Sequence, residues 1–311
     1  MVTTVGINLS VDRGLVVERF QYGSMNRVAG SRTDAGGKAV NVAVVAAGLG
    51  LRARCVALLR KNNGRLFEDK LRRHGVESKC LWLPGSIRTN LKLLDAAQGV
   101  VTEINEPGEK VTDGQLKEMT GLILQASTDS DYLVLTGSLP PGCPKSYYAG
   151  IIRSLKGARC RCVLDAEGEA LKAGIAACPY LIKPNRMELE MEVGHSLGSV
   201  AEVARAARAL ADRGIARVAV SLGAEGALLA DEKSAYFAPG LRVKALSTVG
   251  AGDSMVAGMV SGLTEGLPTD EVLRRGAACA TASVLEAGTR LADRAKCEAV
   301  IERITVERVR V

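Results

Sequence analysis

What most narrows the possible folds of this chain is a pattern repeated after residue 110. Short apolar runs, each ending in a polar or glycine-rich loop, alternate with helical stretches. Tyr132-Leu-Val-Leu135 runs into Thr136-Gly-Ser-Leu-Pro-Pro-Gly142, and Cys162-Val-Leu164 into Asp165. Tyr180-Leu-Ile182 runs into Lys183-Pro-Asn185, and Val218-Ala-Val220 into Ser221-Leu-Gly223. Runs this short and unbroken suit strands buried on both faces, as in a parallel sheet covered by helices. In such sheets ligands bind beyond the carboxyl ends of the strands, so a site is expected in those loops. Residues 2–8 read as a further strand, and 201–211 and 254–263, rich in Ala, Leu, Met and Arg, as helices. Two earlier stretches, 15–32 and 88–103, instead alternate apolar and polar residues, the pattern of antiparallel strands with one face in water. The expectation is one doubly wound α/β domain over residues 1–311, carrying a small β-sheet lid from about 13–34 and 88–106.

Composition supports this reading and removes other classes. With 311 residues the chain is long enough to bury a substantial core, and at 47% hydrophobic but 3% aromatic that core is built from small aliphatic side chains. The net charge of +7 fits anionic ligands and ordinary surface variation equally well. Scattered Arg and Lys, with one Trp, three Phe and six Tyr as stacking platforms, argue against a nucleic-acid partner. Eight cysteines without a C-x-x-C pair suggest reduced thiols in a cytoplasmic protein. Only His74 and His195 are present, which leaves a histidine zinc site or a Ser-His-Asp triad with little support. No apolar run reaches the ~18 residues of a membrane span, so no membrane association is expected.

The stretch with most chemistry is Ser247-Thr-Val-Gly-Ala-Gly-Asp-Ser254, leading into a helix. Gly250 and Gly252 let backbone approach a ligand, and the helix start offers N–H groups and a positive dipole end to an anion. Asp253 in the first turn serves either as a helix-stabilising carboxylate or as the group that orients and deprotonates an attacking hydroxyl in phosphoryl transfer. Gly36-Gly37-Lys38 with Asn41 reads as a plain helix start or as an ammonium and an amide placed for a sugar phosphate. Asp12, Arg88 and Asn90 are weaker candidates; the fork of Arg88 suits a phosphate. Asn185 and Glu188 form a capping box, and Glu188 also suits a hydrated Mg²⁺, which needs few direct protein ligands. Ser221-Leu-Gly-Ala-Glu-Gly226 is a turn between two strands or a loop against a nucleotide.

Taken together and in this order, the four stretches resemble the ribokinase-like sugar kinases of the PfkB type, over essentially the whole chain. Thr102-Glu-Ile-Asn-Glu-Pro-Gly108 and Thr136 to Gly142, with Ser138, look like the branch that acts on fructose 1-phosphate and tagatose 6-phosphate. The resemblance implies a three-layer α/β/α sandwich with a β-sheet lid. It further implies ATP-dependent phosphorylation of a sugar phosphate, foremost fructose 1-phosphate to fructose 1,6-bisphosphate, with tagatose 6-phosphate as the alternative. It makes Asp253 the base and the Gly250, Ala251 and Gly252 amides an anion hole. Asp12, Gly37, Lys38, Asn41, Arg88, Asn90 and Ser138 fall on the sugar phosphate, with Lys38 and Arg88 on its phosphate. Lys183, Asn185, Ser221, Leu222, Gly223, Ala224, Glu225, Gly226, Gly252 and Ser254 fall on ATP, and Glu188 on Mg²⁺ through water.

The chain departs from the branch at Asn8-Leu9-Ser10, where Asn-Pro-Ala is usual. It departs again at Ala39 in place of a third glycine, and at Ala57-Leu-Leu-Arg60 in place of Gly-Phe-Leu-Gly. Two readings of other classes remain: a catalytically silent sugar-phosphate or nucleotide sensor, and a dinucleotide oxidoreductase, which the failure of G-x-G-x-x-G at Ser254-Met255 weakens. Exposed lid strands are expected to pair with a second copy in a homodimer.

Overall fold

Alternate residues of the apolar runs face opposite layers: Tyr132 and Val134 belong to one hydrophobic cluster, Leu133 and Leu135 to the other. A strand whose two faces are both covered has no polar face to present, which is why these runs read as unbroken apolar sequence. The computed structural model describes residues 1–286 and 291–311.

The chain runs from β1 (Val2–Gly6) to β2 (Ser10–Val17), β3 (Gly30–Ala35), α1 (Lys38–Gly48), β4 (Ala53–Arg60), α2 (Arg65–Arg73) and β5 (Glu77–Leu83). It continues through β6 (Arg88–Asp95), β7 (Val100–Asn105), α3 (Asp113–Ser127), β8 (Tyr132–Thr136), α4 (Tyr147–Ser154), β9 (Arg161–Asp165), α5 (Gly168–Ile175) and β10 (Leu181–Ile182). The remainder is α6 (Arg186–Val193), α7 (Val200–Asp212), β11 (Arg217–Ser221), β12 (Gly226–Ala230), β13 (Ala235–Pro239), α8 (Ala251–Thr264), α9 (Thr269–Val284), α10 (Arg294–Ile301) and β14 (Glu307–Val309).

The main sheet has the order β14-β13-β12-β11-β10-β9-β8-β1-β4-β5. Pairing is parallel from β11 through to β5 and antiparallel from β11 to β14. Val40, Val45, Met255 and Val260 lie buried in one helical layer; Met119, Ile123, Ile151 and Leu210 lie buried in the other. Each such side chain contributes about 1.5–3 kcal/mol by leaving water. This is the expected three-layer α/β/α architecture. Because β1 is flanked by β4 on one side and β8 on the other, the crevice past its carboxyl end is a topological switch point.

The lid is a second sheet, β3-β2-β6-β7. Here the expectation of antiparallel strands is corrected in part. β2 with β3 and β6 with β7 are antiparallel hairpins, but β2 and β6 pair in parallel. The reason is the main sheet: β1 and β5 are parallel strands, so the chain leaves both in the same direction and enters the lid twice with one polarity.

Candidate active site

Helix α8 is buried from Asp253 to Leu263 and stays close to its neighbour because small residues meet there. A Cβ on Gly258 would lie 2.8 Å from the Arg275 carbonyl oxygen and from Cys279 Sγ. That packing fixes the helix start. Gly250 has φ 77°, a left-handed conformation that favours glycine, and no side chain caps the helix. Gly250 and Gly252 of this helix start line a cavity of about 360 Å³, while the Ala251 N–H donates to the Thr248 carbonyl at 3.4 Å; an uncapped helix start of this kind favours an anion.

Asp253 stands in that first turn and is 5% exposed. Its Oδ2 accepts a hydrogen bond from Asn41 Nδ2 at 2.8 Å, and its Oδ1 lies 4.0 Å from Lys38 Nζ. Burial raises the carboxyl above the ordinary aspartate range, against the pull of the Lys38 ammonium. Asn41 thus meets Asp253 itself as well as the cavity wall.

Lys38 opens α1, and its ammonium donates to Asp165 Oδ2 at 2.9 Å; Lys183 Nζ lies 3.3 Å from Asp165 Oδ1. Asp165 ends β9 and is 2% exposed. Burial alone would raise its carboxyl, but the charges of Lys183 and Lys38 outweigh that and hold it at about 2. Asp165 in turn raises the Lys38 ammonium. Lys183 also reaches α8, at 3.5 Å from where a Cβ on Gly252 would stand. Sequence reasoning marked Asp165 only as a strand end. The signal it missed was a carboxylate closing an apolar run. The cluster places Lys38 beside Asp253 and the start of α8, with Asp165 as its partner.

Arg88 sits elsewhere on the cavity wall. Its Nη2 donates to Ser138 Oγ at 3.1 Å and its Nη1 to the Glu106 carbonyl at 2.7 Å, while Asn8 Nδ2 donates to Ser138 Oγ at 3.1 Å. Arg88 Nε and Asn90 Oδ1 are buried atoms without a hydrogen-bond partner among the described residues. Asp12 accepts from Ser10 Oγ at 2.9 Å and from Lys92 Nζ at 3.2 Å. Lys92 and Glu167 line the cavity and were not singled out from sequence; Asn8 and Glu103 line it too and were quoted only within longer stretches, with no site role.

Outside this cavity, the predicted nucleotide segments adjoin one another. Asn185 and Ser221 form a parallel bridge, and the Ser221 N–H donates to the Pro184 carbonyl at 3.0 Å. Arg186 pairs with Glu225 at 2.7 Å. The 221–226 loop is a hairpin connection containing a short 3₁₀ turn at Gly223–Glu225, which places Leu222, Gly223, Ala224 and Gly226 beside that pair. Ser254 Oγ is buried without a partner among the described residues. Asn185 and Glu188 form the expected capping box: Asn185 Oδ1 accepts from the Glu188 N–H and Glu188 Oε2 from the Asn185 N–H, both at 2.8 Å. Burial raises the Glu188 carboxyl.

The geometry, an uncapped helix start beside two carboxylates and two ammonium groups, suits transfer of an anionic group to an alcohol. A family model, "pfkB family carbohydrate kinase", matches residues 1–296. The chain belongs to the pfkB family of carbohydrate kinases. Among curated pfkB relatives, the 1-phosphofructokinase of Rhodobacter capsulatus is 36% identical over 307 residues, covering 98% of this chain and 97% of that protein. The 1-phosphofructokinase of Xanthomonas campestris pv. campestris is 36% identical over 289 residues, covering 92% and 91%. The crystal structure of phosphofructokinase-2 from Escherichia coli in complex with fructose-6-phosphate superposes with a TM-score of 0.90 at 28% identity, covering 97% and 98%. The ribokinase-like fold and the carbohydrate-kinase assignment therefore stand, and ATP is the co-substrate of the family.

The three departures from the branch pattern of these pfkB kinases can be located. In the first, Leu9 packs where a Cβ on Gly37 would stand and Ser10 bonds Asp12; in the second, buried Ala39 lies 2.9 Å from where a Cβ on Gly6 would stand; in the third, Arg60 braces the lid's entry and exit. The Arg60 guanidinium donates to the Pro84 carbonyl at 2.9 Å and pairs with Glu109 at 3.3 Å.

Proposed function

We propose that this chain transfers the γ-phosphoryl group of ATP to O6 of fructose 1-phosphate, giving fructose 1,6-bisphosphate and ADP. The substrate assignment is supported by the 1-phosphofructokinase relatives matched over nearly the full chain. The observation that carries the chemistry is the buried Asp253 beside the uncapped start of α8. In this reading Asp253 takes the hydroxyl proton, and the Gly250, Ala251 and Gly252 amides hold the moving phosphoryl group. Lys38, tied to Asp165 on the transfer side, neutralises charge there, and Arg88 with Ser138 and Asn90 receives the acceptor's own phosphate. Asp12 and Gly37 face the sugar. Lys183, Asn185, Ser254 and the 221–226 loop hold the nucleotide.

Mg²⁺ belongs to the same reading. Both Asp165 oxygens are engaged by lysines, and no group of three potential metal ligands occurs among the described residues. Glu188, whose Oε2 accepts from the Asn185 N–H, would hold a hydrated ion through water, since Mg²⁺ needs few direct protein ligands. Such an ion neutralises phosphate charge when bound.

The test is a coupled ADP assay across fructose 1-phosphate, tagatose 6-phosphate and fructose 6-phosphate. Fructose 1-phosphate should give the highest kcat/KM. ADP release that is independent of sugar, or nucleotide and sugar binding without ADP release, contradicts the assignment; the latter result favours the sensor. Fructose 6-phosphate is the second reading, favoured by the fructose-6-phosphate complex of the structural neighbour.

A homodimer through the lids is part of the proposal. Tyr22 is 96% exposed and Met25 81%, and on β7 Val100, Val101 and Ile104 are more than half exposed, an apolar surface beside an open edge strand. Light scattering at micromolar concentration should give twice the 32.7 kDa chain mass, and a monomer mass removes the dimer. No helix among the described residues is long and apolar enough to cross a membrane, and a cytoplasmic location accompanies this reading.

A further inference from the structure

Arg88, Asn90 and Lys92 alternate along β6, so their side chains share one face, and all three line the cavity. β6 runs parallel to β2 with Asp12 opposite Asn90 and Gly14 opposite Lys92. Lys92 therefore reaches diagonally across the strand pair to Asp12. The side chains are 16% and 8% exposed, and Ser10 is 2% exposed. The Asp12 carboxylate is held on three sides: Ser10 Oγ donates to Oδ1, Lys92 Nζ lies on Oδ2, and the carboxylate packs against bare Gly36, where a Cβ would clash with it.

We infer that Lys92, with Ser10, is a positioning residue for the acceptor: it fixes Asp12 in the orientation that receives sugar hydroxyls. A carboxylate has about four acceptor positions, and two are taken from within the chain. The others remain for ligand hydroxyls on the cavity side. Without Lys92 the same carboxylate is a nearly buried charge lacking its hydrogen-bonded cation, and it is free to turn. A buried ion pair adds little net stability, so its place on a cavity wall is better explained by what it holds in register. Ser10 adds a hydroxyl where the branch pattern has alanine, giving this chain a second internal donor on Asp12.

The inference rests on the proposed function for the identity of the acceptor, so the experiment uses whichever of the three sugar phosphates the wild-type enzyme turns over best. Lys92→Met should raise KM for that acceptor by about 10- to 100-fold, the scale of a lost charge-assisted hydrogen bond, and leave KM for ATP within about two-fold. Lys92→Arg should recover part of the loss. Ser10→Ala, which removes only a hydroxyl, should raise the acceptor KM by about three-fold. In an Asp12→Asn background, Lys92→Met should change kcat/KM by less than about three-fold, because its effect passes through Asp12. Unchanged acceptor KM in Lys92→Met overturns the inference, as do effects of Lys92→Met and Asp12→Asn that multiply independently. Failure of the functional reading appears instead in the wild type alone, as a preference for another acceptor.

Discussion

Asparagine at position 253 is expected to lower turnover by about 10²–10⁴-fold, the range for removing a positioned general base. The substitution keeps shape and the hydrogen-bonding partner Asn41 but removes the ability to accept a proton. KM for ATP should change little, since the helix-start amides remain. A pH profile gives an independent check. Burial raises the Asp253 carboxyl, and the proposed base works only when deprotonated. The wild-type rate should therefore rise with pH through a value above the ordinary aspartate range, and the residual rate of Asp253→Asn should lack that limb. Turnover of the variant close to wild type refutes the assignment of the base.

Asp165→Asn is expected to destabilise the fold by about 3 kcal/mol, because removing one partner strands buried charge. Lys183, whose side chain is 5% exposed, then keeps its ammonium with no carboxylate at 3.3 Å. The sign with pH follows from the carboxyl being held at about 2, below the ordinary aspartate value of about 3.9. Its contribution is fully present above pH ~4 and is lost as pH falls from there through about 2. Thermal unfolding should show a lower Tm for the variant at neutral pH and a gap that narrows below pH ~4. Equal Tm values at neutral pH contradict the clamp. Activity should fall as well, since Lys38 loses the partner that holds it near Asp253.

Where function followed from local pattern, the sequence was legible. The unbroken runs at β8 and β9 announced two-sided burial, and a Gly-Ala-Gly-Asp turn announced a helix start with a carboxylate in its first turn. The capping box at Asn185 and Glu188 was likewise readable from spacing of three. What was not legible joins distant positions. Asp165 meets Lys38 across 127 residues, Asp253 meets Asn41 across 212, and Asp12 meets Lys92 across 80. No local periodicity encodes such pairs; they arise only when α1 meets β9 and α8, and β2 meets β6 in the lid. The parallel pairing of β2 with β6 was hidden for the same reason, being set by the common direction of two main-sheet strands.

The central claim is that the phosphoryl group and the acceptor hydroxyl meet between the start of α8 and Asp253. A crystal structure with Mg²⁺, a non-hydrolysable ATP analogue and fructose 1-phosphate tests it most directly. The account predicts the γ-phosphate against the Gly250 to Gly252 amides, and the sugar O6 within about 2.6–3.2 Å of an Asp253 oxygen, with the sugar's own phosphate on Arg88. A γ-phosphate bound away from α8, or a sugar that turns its phosphate rather than O6 toward Asp253, would contradict it.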